Sequence, residues 1–209
     1  MVVLGIDPGS VVTGYGLVGC EGRKNHLIDC GCFRPTARLP FAQRLRHICA
    51  ELRDVIEAAS PDEVALEATF YGANVQTLMK MCHARGAILL TLAEADLPIF
   101  EYSPREVKKA VVGNGGASKE QVQFMVQSLF GKGRLPRALD ASDAVGVALC
   151  HLNRSSSVAA LSGEDRFAAR LAAAGAGEAT NDKFEEKLRQ AGAVGGTARR
   201  AKPGRGRRR

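Results

Sequence analysis

Short apolar runs alternate along this chain with longer stretches in which apolar residues recur every three or four positions. Apolar runs at residues 2–6, 14–20 and about 27–33 are separated by turn residues, which predicts three strands in a meander. Further short runs at residues 64–66 and 98–102 predict a fourth and a fifth strand.

The helical pattern begins after the third strand. Pro40 opens a stretch with apolar residues spaced by three and four, which predicts a helix that ends at Ser60. Asn74 is a typical cap for a long second helix to about Ala95. Because apolar residues cover most of its circumference, this helix is predicted either to lie in the core or to be shared with a partner.

Three shorter helices complete the pattern. One begins at Pro104, one follows the capping box formed by Ser118 and Gln121, and the last is led by Pro136 and ends near Asn153. The whole order indicates an α/β fold with a mixed five-stranded sheet and helices on both faces. That order matches the ribonuclease H-like arrangement.

The composition changes after Arg154, where serine, alanine and glycine become frequent. We therefore predict a folded domain at residues 1–154 and a mostly disordered tail at residues 155–209. The net charge of +7 resides in that tail, because residues 199–209 carry seven basic residues and no acid. The remaining 22 basic residues balance 22 acids, so DNA binding by the folded part needs a local basic patch. The basic tail suits either sequence-independent DNA binding or contact with a protein partner.

No apolar run reaches membrane-spanning length, and the first residues enter a strand without a signal-peptide pattern. These features predict a cytoplasmic protein that does not bind membranes. The six cysteines lack the spacing of a zinc site and are expected to be reduced, buried thiols.

Four carboxylates stand where the predicted elements end or begin. Asp7 and Glu67 end two buried strands, and Asp140 and Asp143 share one face of the last helix because they are three residues apart. Taken singly, Asp7 suits a turn cap, and the helical pair suits the positive end of a helix dipole. Taken together, the four acids indicate one converging site.

Four like charges in one pocket repel one another unless cations neutralise them. Ligands that are all oxygen favour Mg²⁺, with Mn²⁺ as a substitute, over zinc. Two such ions per site can clamp the attacking water and the leaving oxygen of a phosphodiester, so hydrolysis of a nucleic-acid backbone is the predicted reaction.

Seven motifs between residue 4 and about residue 151 make the chain resemble the RuvC-type Holliday junction resolvases. They are Gly5-Ile6-Asp7-Pro8-Gly9-Ser10 with Thr13-Gly14-Tyr15-Gly16, Leu66-Glu67 followed by Phe70, Ala84-Arg85-Gly86, Tyr102-Ser103-Pro104-Arg105 with Val107-Lys108, Val111-Val112-Gly113 with Gly115, Lys119 with Gln121-Val122-Gln123, and Asp140-Ala141-Ser142-Asp143-Ala144.

The resemblance implies a homodimer that binds four-way junction DNA and nicks two opposing strands during recombination and repair. Asp7, Glu67, Asp140 and Asp143 match the family's catalytic metal ligands, and the helix from Asn74 matches its dimer interface. The resemblance also suggests a branch-migration helicase partner of the RuvA and RuvB type.

Four further residues are DNA-binding candidates. Phe70 matches the aromatic that stacks on a junction base, although an isolated loop aromatic is more often half-buried. Lys108 and Lys119 match residues that grip phosphate near the scissile bond. Arg105 is a further phosphate candidate, although a surface arginine is usually just solvated.

Three other functions compete with this hypothesis. An actin-like ATPase also has an Asp-x-Gly loop after its first strand, but it needs a second phosphate loop and an adenosine site. A junction-binding module without catalysis would gain from losing its acids near phosphate. Another nuclease of the same fold, acting on RNA or RNA–DNA hybrids, is compatible with the fold alone.

Overall fold

The computed structural model describes residues 1–22, 24–68, 74–131 and 139–159, which form five strands and five helices. The elements in chain order are β1 (Val2–Asp7), β2 (Thr13–Glu21), β3 (Lys24–Phe33), α1 (Phe41–Ala59), β4 (Glu63–Glu67), α2 (Val75–Glu94), β5 (Ile99–Tyr102), α3 (Pro104–Val112), α4 (Lys119–Phe130) and α5 (Leu139–Ala159).

The five strands form one sheet in the order β3-β2-β1-β4-β5. β1, β2 and β3 are an antiparallel meander, whereas β4 and β5 run parallel to β1. The parallel connections are long enough to hold helices, as parallel pairing requires. The predicted mixed five-stranded sheet is therefore confirmed.

Helices cover both faces of the sheet, also as predicted. On one face, Leu4 and Ile6 of β1 pack with Ile48 of α1 and Ile88 of α2. On the other face, Val3, which precedes Leu4, joins a cluster built with α3, α4 and α5. Because side chains of a strand alternate between faces, β1 supplies both layers from neighbouring positions.

Glycines bring the backbone of α5 against the backbones of β1 and β2. A Cβ atom at Gly5 would collide with the carbonyl oxygen of Ala144, and one at Gly14 would collide with that of Asp140. A Cβ at Gly16 would come within 2.8 Å of the backbone nitrogen of Val145. The close approach of helix to sheet therefore depends on the missing side chains of these strands.

A buried polar cluster joins α5 to the parallel strands. His151 Nδ1 lies 2.8 Å from Tyr102 Oη, and His151 Nε2 lies 2.6 Å from Glu63 Oε2. Since unpaired polar groups are costly in a protein interior, this pairing fixes how α5 sits over β4 and β5. We name Glu63, Tyr102 and His151 the polar clasp.

Helix α5 is longer than predicted. It runs to Ala159 instead of ending near Asn153, so it passes residue 155, where the tail was expected to begin. A serine run is only mildly unfavourable in a helix, and Ser155 Oγ finds a partner 3.2 Å away at His151 Nε2. The rest of the predicted tail and Pro136 lie outside the described residues.

In the described ranges, no helix combines the length and the apolarity needed to cross a membrane. The six cysteines are free thiols. Cys49 and Cys150 are buried as expected, whereas the expectation was wrong for Cys82, which is exposed on α2.

We expect Gly5→Ala to lower the free energy of unfolding by at least about 2 kcal/mol, because overpacking between two rigid backbones has little room to relax. Urea unfolding followed by circular dichroism measures the change. Gly146→Ala in α5 is the matched control, since the nearest atom to a Cβ there lies 3.5 Å away, which is an ordinary contact. That control should be neutral or stabilising by about 1 kcal/mol, as for a helical glycine replaced by alanine. Equal stability of the two variants would contradict the backbone contact.

Candidate active site

The ends of β1 and β4 place two carboxylates side by side. Asp7 is the last residue of β1 and Glu67 the last residue of β4, and the neighbouring pair Ile6 and Leu66 is in register between these parallel strands. Asp7 is two residues after Gly5 in β1, so both lie on the same face of the sheet. Because Gly5 faces α5, the side chain of Asp7 emerges on the face that α5 covers.

Helix α5 brings two further acids to the same edge. Its backbone at Asp140 rests over Gly14 of β2, and Gly14 is paired with Asp7. Asp143 lies one helical turn further on and faces the carboxylates of the strands. The glycine contacts therefore determine where these helical acids stand.

A cleft of about 290 Å³ opens beside these acids. Three carboxylates and two lysines line it: Asp7, Glu67, Asp143, Lys108 and Lys119. Its apolar wall includes Met81 from α2, Val107 from α3 and Val122 from α4. Such a cleft suits a negatively charged ligand, because the lysines can bind it directly and the carboxylates can bind it through metal cations.

The two strand carboxyls share a hydrogen bond. Burial raises the pKa of Glu67 to about 9, and the neighbouring charge of Asp7 adds to the shift. Burial also raises the pKa of Asp7 to about 6, although its hydrogen bond with Glu67 opposes the shift. Near neutral pH the pair therefore holds one proton, which the two carboxyls share in their hydrogen bond.

The helical acids are paired with cations. Lys119 Nζ lies 2.9 Å from Asp143 Oδ2, and this hydrogen bond raises the pKa of Lys119. Arg34 lies 3.6 Å from Asp140 Oδ2. Asp140 does not line the cleft but stands next to it, close enough for its charge to raise the pKa of Asp7. Of the four predicted acids, three line one cleft and the fourth flanks it.

The donor chemistry of this cluster fits a hard divalent cation. Its ligands would be carboxylate oxygens. Burial and the negative charge of Asp143 both raise the pKa values of Asp7 and Glu67, and a bound cation would relieve this charge. Among the side chains that the structure describes, no three of the His, Cys, Asp and Glu type have the spacing of a metal site. The carboxyls pair instead with one another and with Lys119 and Arg34.

The DNA-binding candidates separate into three groups. Lys108 and Lys119 line the cleft. Arg105 is exposed on α3, and its side chain packs next to Gly115, away from the cleft lining. Phe70 lies outside the described residues. Arg34 was not among the predicted site residues, although its position directly after β3 could have indicated it, because β3 ends at the same edge as Asp7.

A ribonuclease H-like sheet with acids at the ends of its two central parallel strands is the framework of a class of metal-dependent nucleases. A sequence model of the family described as crossover junction endodeoxyribonuclease RuvC matches residues 3–151. The chain belongs to this family.

Individual relatives agree with the family match. The crossover junction endodeoxyribonuclease RuvC of Chlorobium phaeovibrioides is 50% identical over 74% of this chain and 82% of its own. The RuvC structure of Thermus thermophilus is 34% identical, with a TM-score of 0.68 over 75% of this chain and 96% of its own. A second Thermus structure, described as a complex with Holliday junction substrate, is 35% identical, with a TM-score of 0.68 over 73% of this chain and 93% of its own.

The raised pKa values of Asp7 and Glu67 predict how stability varies with pH when metal is chelated. Because the folded protein favours the protonated carboxyls, their stabilisation is complete below the ordinary pKa values near 4 and declines as pH rises through about 6 and about 9. In EDTA, the melting temperature should therefore fall between pH 5 and pH 9 as this contribution is lost. Glu67→Gln should flatten that fall, because the amide cannot ionise.

Glu57→Gln, at an exposed position of α1, is the matched control and should keep the wild-type pH profile. At pH 8, Mg²⁺ should raise the melting temperature of the wild type more than that of Glu67→Gln. An unchanged pH profile in Glu67→Gln would contradict a protonated carboxyl pair.

Proposed function

We propose that this protein resolves four-way DNA junctions by paired symmetric nicks, as an endonuclease of recombination and repair. The observation that carries the proposal is one cleft in which the carboxylates of Asp7, Glu67 and Asp143 meet the cations of Lys108 and Lys119. Membership of the RuvC family supports the junction as substrate, because the structure of one family member is described as a complex with a Holliday junction substrate. The same membership favours a junction enzyme over an ATPase or a nuclease for RNA.

Asp7, Glu67, Asp143 and Asp140 are the proposed metal ligands and catalytic acids, with Mg²⁺ as the physiological ion, Mn²⁺ as a substitute and two ions per site. Such ions, when bound to carboxylates, supply an activated water and neutralise charge on the phosphate. For Asp140 this role requires exchanging Arg34 for the ion, and for Asp143 it requires exchanging Lys119. Each of these acids would thereby exchange a monovalent side-chain cation for a divalent ion, so its negative charge is balanced both before and after the ion binds.

The lysines have a separate task, which is to hold the phosphate. Lys108 lies in the cleft wall on α3, and Lys119 stands at the first position of α4 next to Asp143. In the free protein, a charge-assisted hydrogen bond to Asp143 keeps Lys119 at the cleft until the ion replaces it. In-line attack on the held phosphate is proposed to leave 5′-phosphate and 3′-hydroxyl ends. Phe70 is the proposed base-stacking residue, and Arg105 can contact only phosphates outside the cleft.

Helix α2 supports the proposed homodimer. Val75, Met79, Cys82, Gly86 and Leu90 are exposed, and their spacing of four, three, four and four residues places them in one stripe along the helix. We name these residues the α2 stripe. Apolar residues concentrated in one exposed stripe are typical of an interface, and the glycine allows a second helix to approach. One site per subunit would then give the two symmetric nicks.

Two broader proposals rest on family resemblance. The protein would act in the cytoplasm, and a branch-migration helicase of the RuvA and RuvB type would move the junction on which it works.

Cleavage of a synthetic four-way junction beside a linear duplex of the same sequence tests the function. With Mg²⁺ we expect paired nicks on the junction alone, and with EDTA no nicks. Asp7→Asn should reduce the cleavage rate by at least about 1,000-fold, because it removes a proposed carboxylate ligand of the metal site, while junction affinity remains within about twofold. Asp54→Asn, at an exposed position of α1, is the control and should cut normally. Equal cutting of the duplex would indicate an unselective nuclease, and binding without nicks would indicate a structural module.

The α2 stripe predicts the oligomeric state. Light scattering after size exclusion should give a dimer for the wild type and a monomer for Leu90→Glu, because a buried unpaired carboxylate opposes association. Phe124→Glu on α4 is the matched control, since Phe124 and Leu90 are each 61% exposed. A dimeric Leu90→Glu together with a monomeric Phe124→Glu would move the interface to α4.

A further inference from the structure

Arg34 stands on the side of the acids that is remote from the two lysines. Five residues form a row across the strand ends. Cys32 pairs with Gly14, Gly14 pairs with Asp7, and Glu67 pairs with Tyr102, while Asp7 and Glu67 directly follow the registered pair Ile6 and Leu66. Arg34 follows the β3 end of this row by two residues. Lys108 belongs to α3, which begins two residues after the β5 end of the row. A basic residue therefore lies just beyond each end of the row, and the acids Asp7 and Glu67 are at its centre.

Contacts hold the guanidinium of Arg34 at that edge. It lies 3.6 Å from Asp140 Oδ2 and hydrogen-bonds the Cys32 thiol, which moderates the rise of the thiol's pKa caused by burial. The side chain of Arg34 is nevertheless 55% exposed. An exposed ion pair of this kind contributes about 0–1 kcal/mol to stability, so folding gives little reason for the arginine to be there.

The substrate gives a better reason. Strands in a sheet lie about 4.8 Å apart, so the β3 end of the row is about 10 Å from Asp7. A DNA strand carries one phosphate per about 3.4 Å of helix axis, so a strand held over Asp7 and running along the row toward β3 would place about three phosphates over this span. One of them would meet the carboxylate of Asp140, which would repel it. A planar guanidinium next to Asp140 can cancel that repulsion and bind phosphate in a bidentate manner.

We propose that Arg34 binds a backbone phosphate of the strand being cut, on the side of the acidic cluster opposite Lys108. The inference deepens the proposed function and rests on it. Arg34 has two alternating partners. It neutralises Asp140 in the free protein, and it binds the DNA phosphate when the carboxylate of Asp140 binds a metal ion. Substrate binding and release of Asp140 are thus linked through one side chain.

Three variants test this role, with the full-length protein and a synthetic four-way junction. Arg34→Gln removes the charge, Arg34→Lys keeps the charge without the bidentate geometry, and Arg38→Gln removes an equal charge from an exposed position of the same connection between β3 and α1. Junction affinity is measured in EDTA at several salt concentrations, and kcat and KM are measured with Mg²⁺.

Arg34→Gln should weaken junction binding about tenfold and reduce the slope of log affinity against log salt by about one, as expected for the loss of one phosphate contact. Arg34→Lys should restore the slope but only part of the affinity, and Arg38→Gln should match the wild type. The proposal is overturned if Arg34→Gln and Arg38→Gln bind equally well with the same slope. It is also overturned if Arg34→Gln changes only kcat or the Mg²⁺ requirement, because Arg34 would then act only by pairing with Asp140 and not by binding DNA. A wild type that neither binds nor cuts the junction would instead refute the proposed function.

Discussion

The contact between the backbone of α5 and the backbones of β1 and β2 is the constraint on which the site depends. Gly5, Gly14 and Gly16 leave no side chains between helix and sheet, so the distance between them is fixed by main-chain atoms. The acids on α5 consequently reach the acids on the strands without long side chains. Short side chains have few rotamers, and their positions therefore follow directly from the fold.

Electrostatic repulsion is the second constraint, and the fold meets it by pairing each acid. A proton is shared by Asp7 and Glu67, whereas Lys119 and Arg34 accompany Asp143 and Asp140. Lys119 and Arg34, which balance the acids, therefore already stand where the phosphates of the proposed DNA substrate would lie. Negative charge at the centre and positive charge at its margins suit one surface to both the divalent ions and the phosphates of the proposed function.

Much of this fold could be predicted from the sequence because its signals are local. The strand runs, the Asn74 cap and the Ser118 capping box each gave elements that the structure contains. The site was predicted less completely, because which side of a helix or strand faces the acids is a tertiary property. Arg105 and Lys108 are neighbours on α3, yet only Lys108 lines the cleft, and the pairing of Arg34 with Asp140 joins residues more than 100 positions apart. The end of α5 was misjudged for the same reason, since Ser155 is supported by a buried partner, His151, and not by its own propensity.

The polar clasp has a consequence for the growing chain. Glu63 and Tyr102 leave the ribosome well before His151, so the complete sheet is made while the helix that covers its glycines is still missing. Until α5 is added, Asp7 and Glu67 have no helical acids beside them. On the proposed assignment of the four acids, the nascent chain therefore lacks part of its catalytic site until α5, the last described helix, closes onto the sheet.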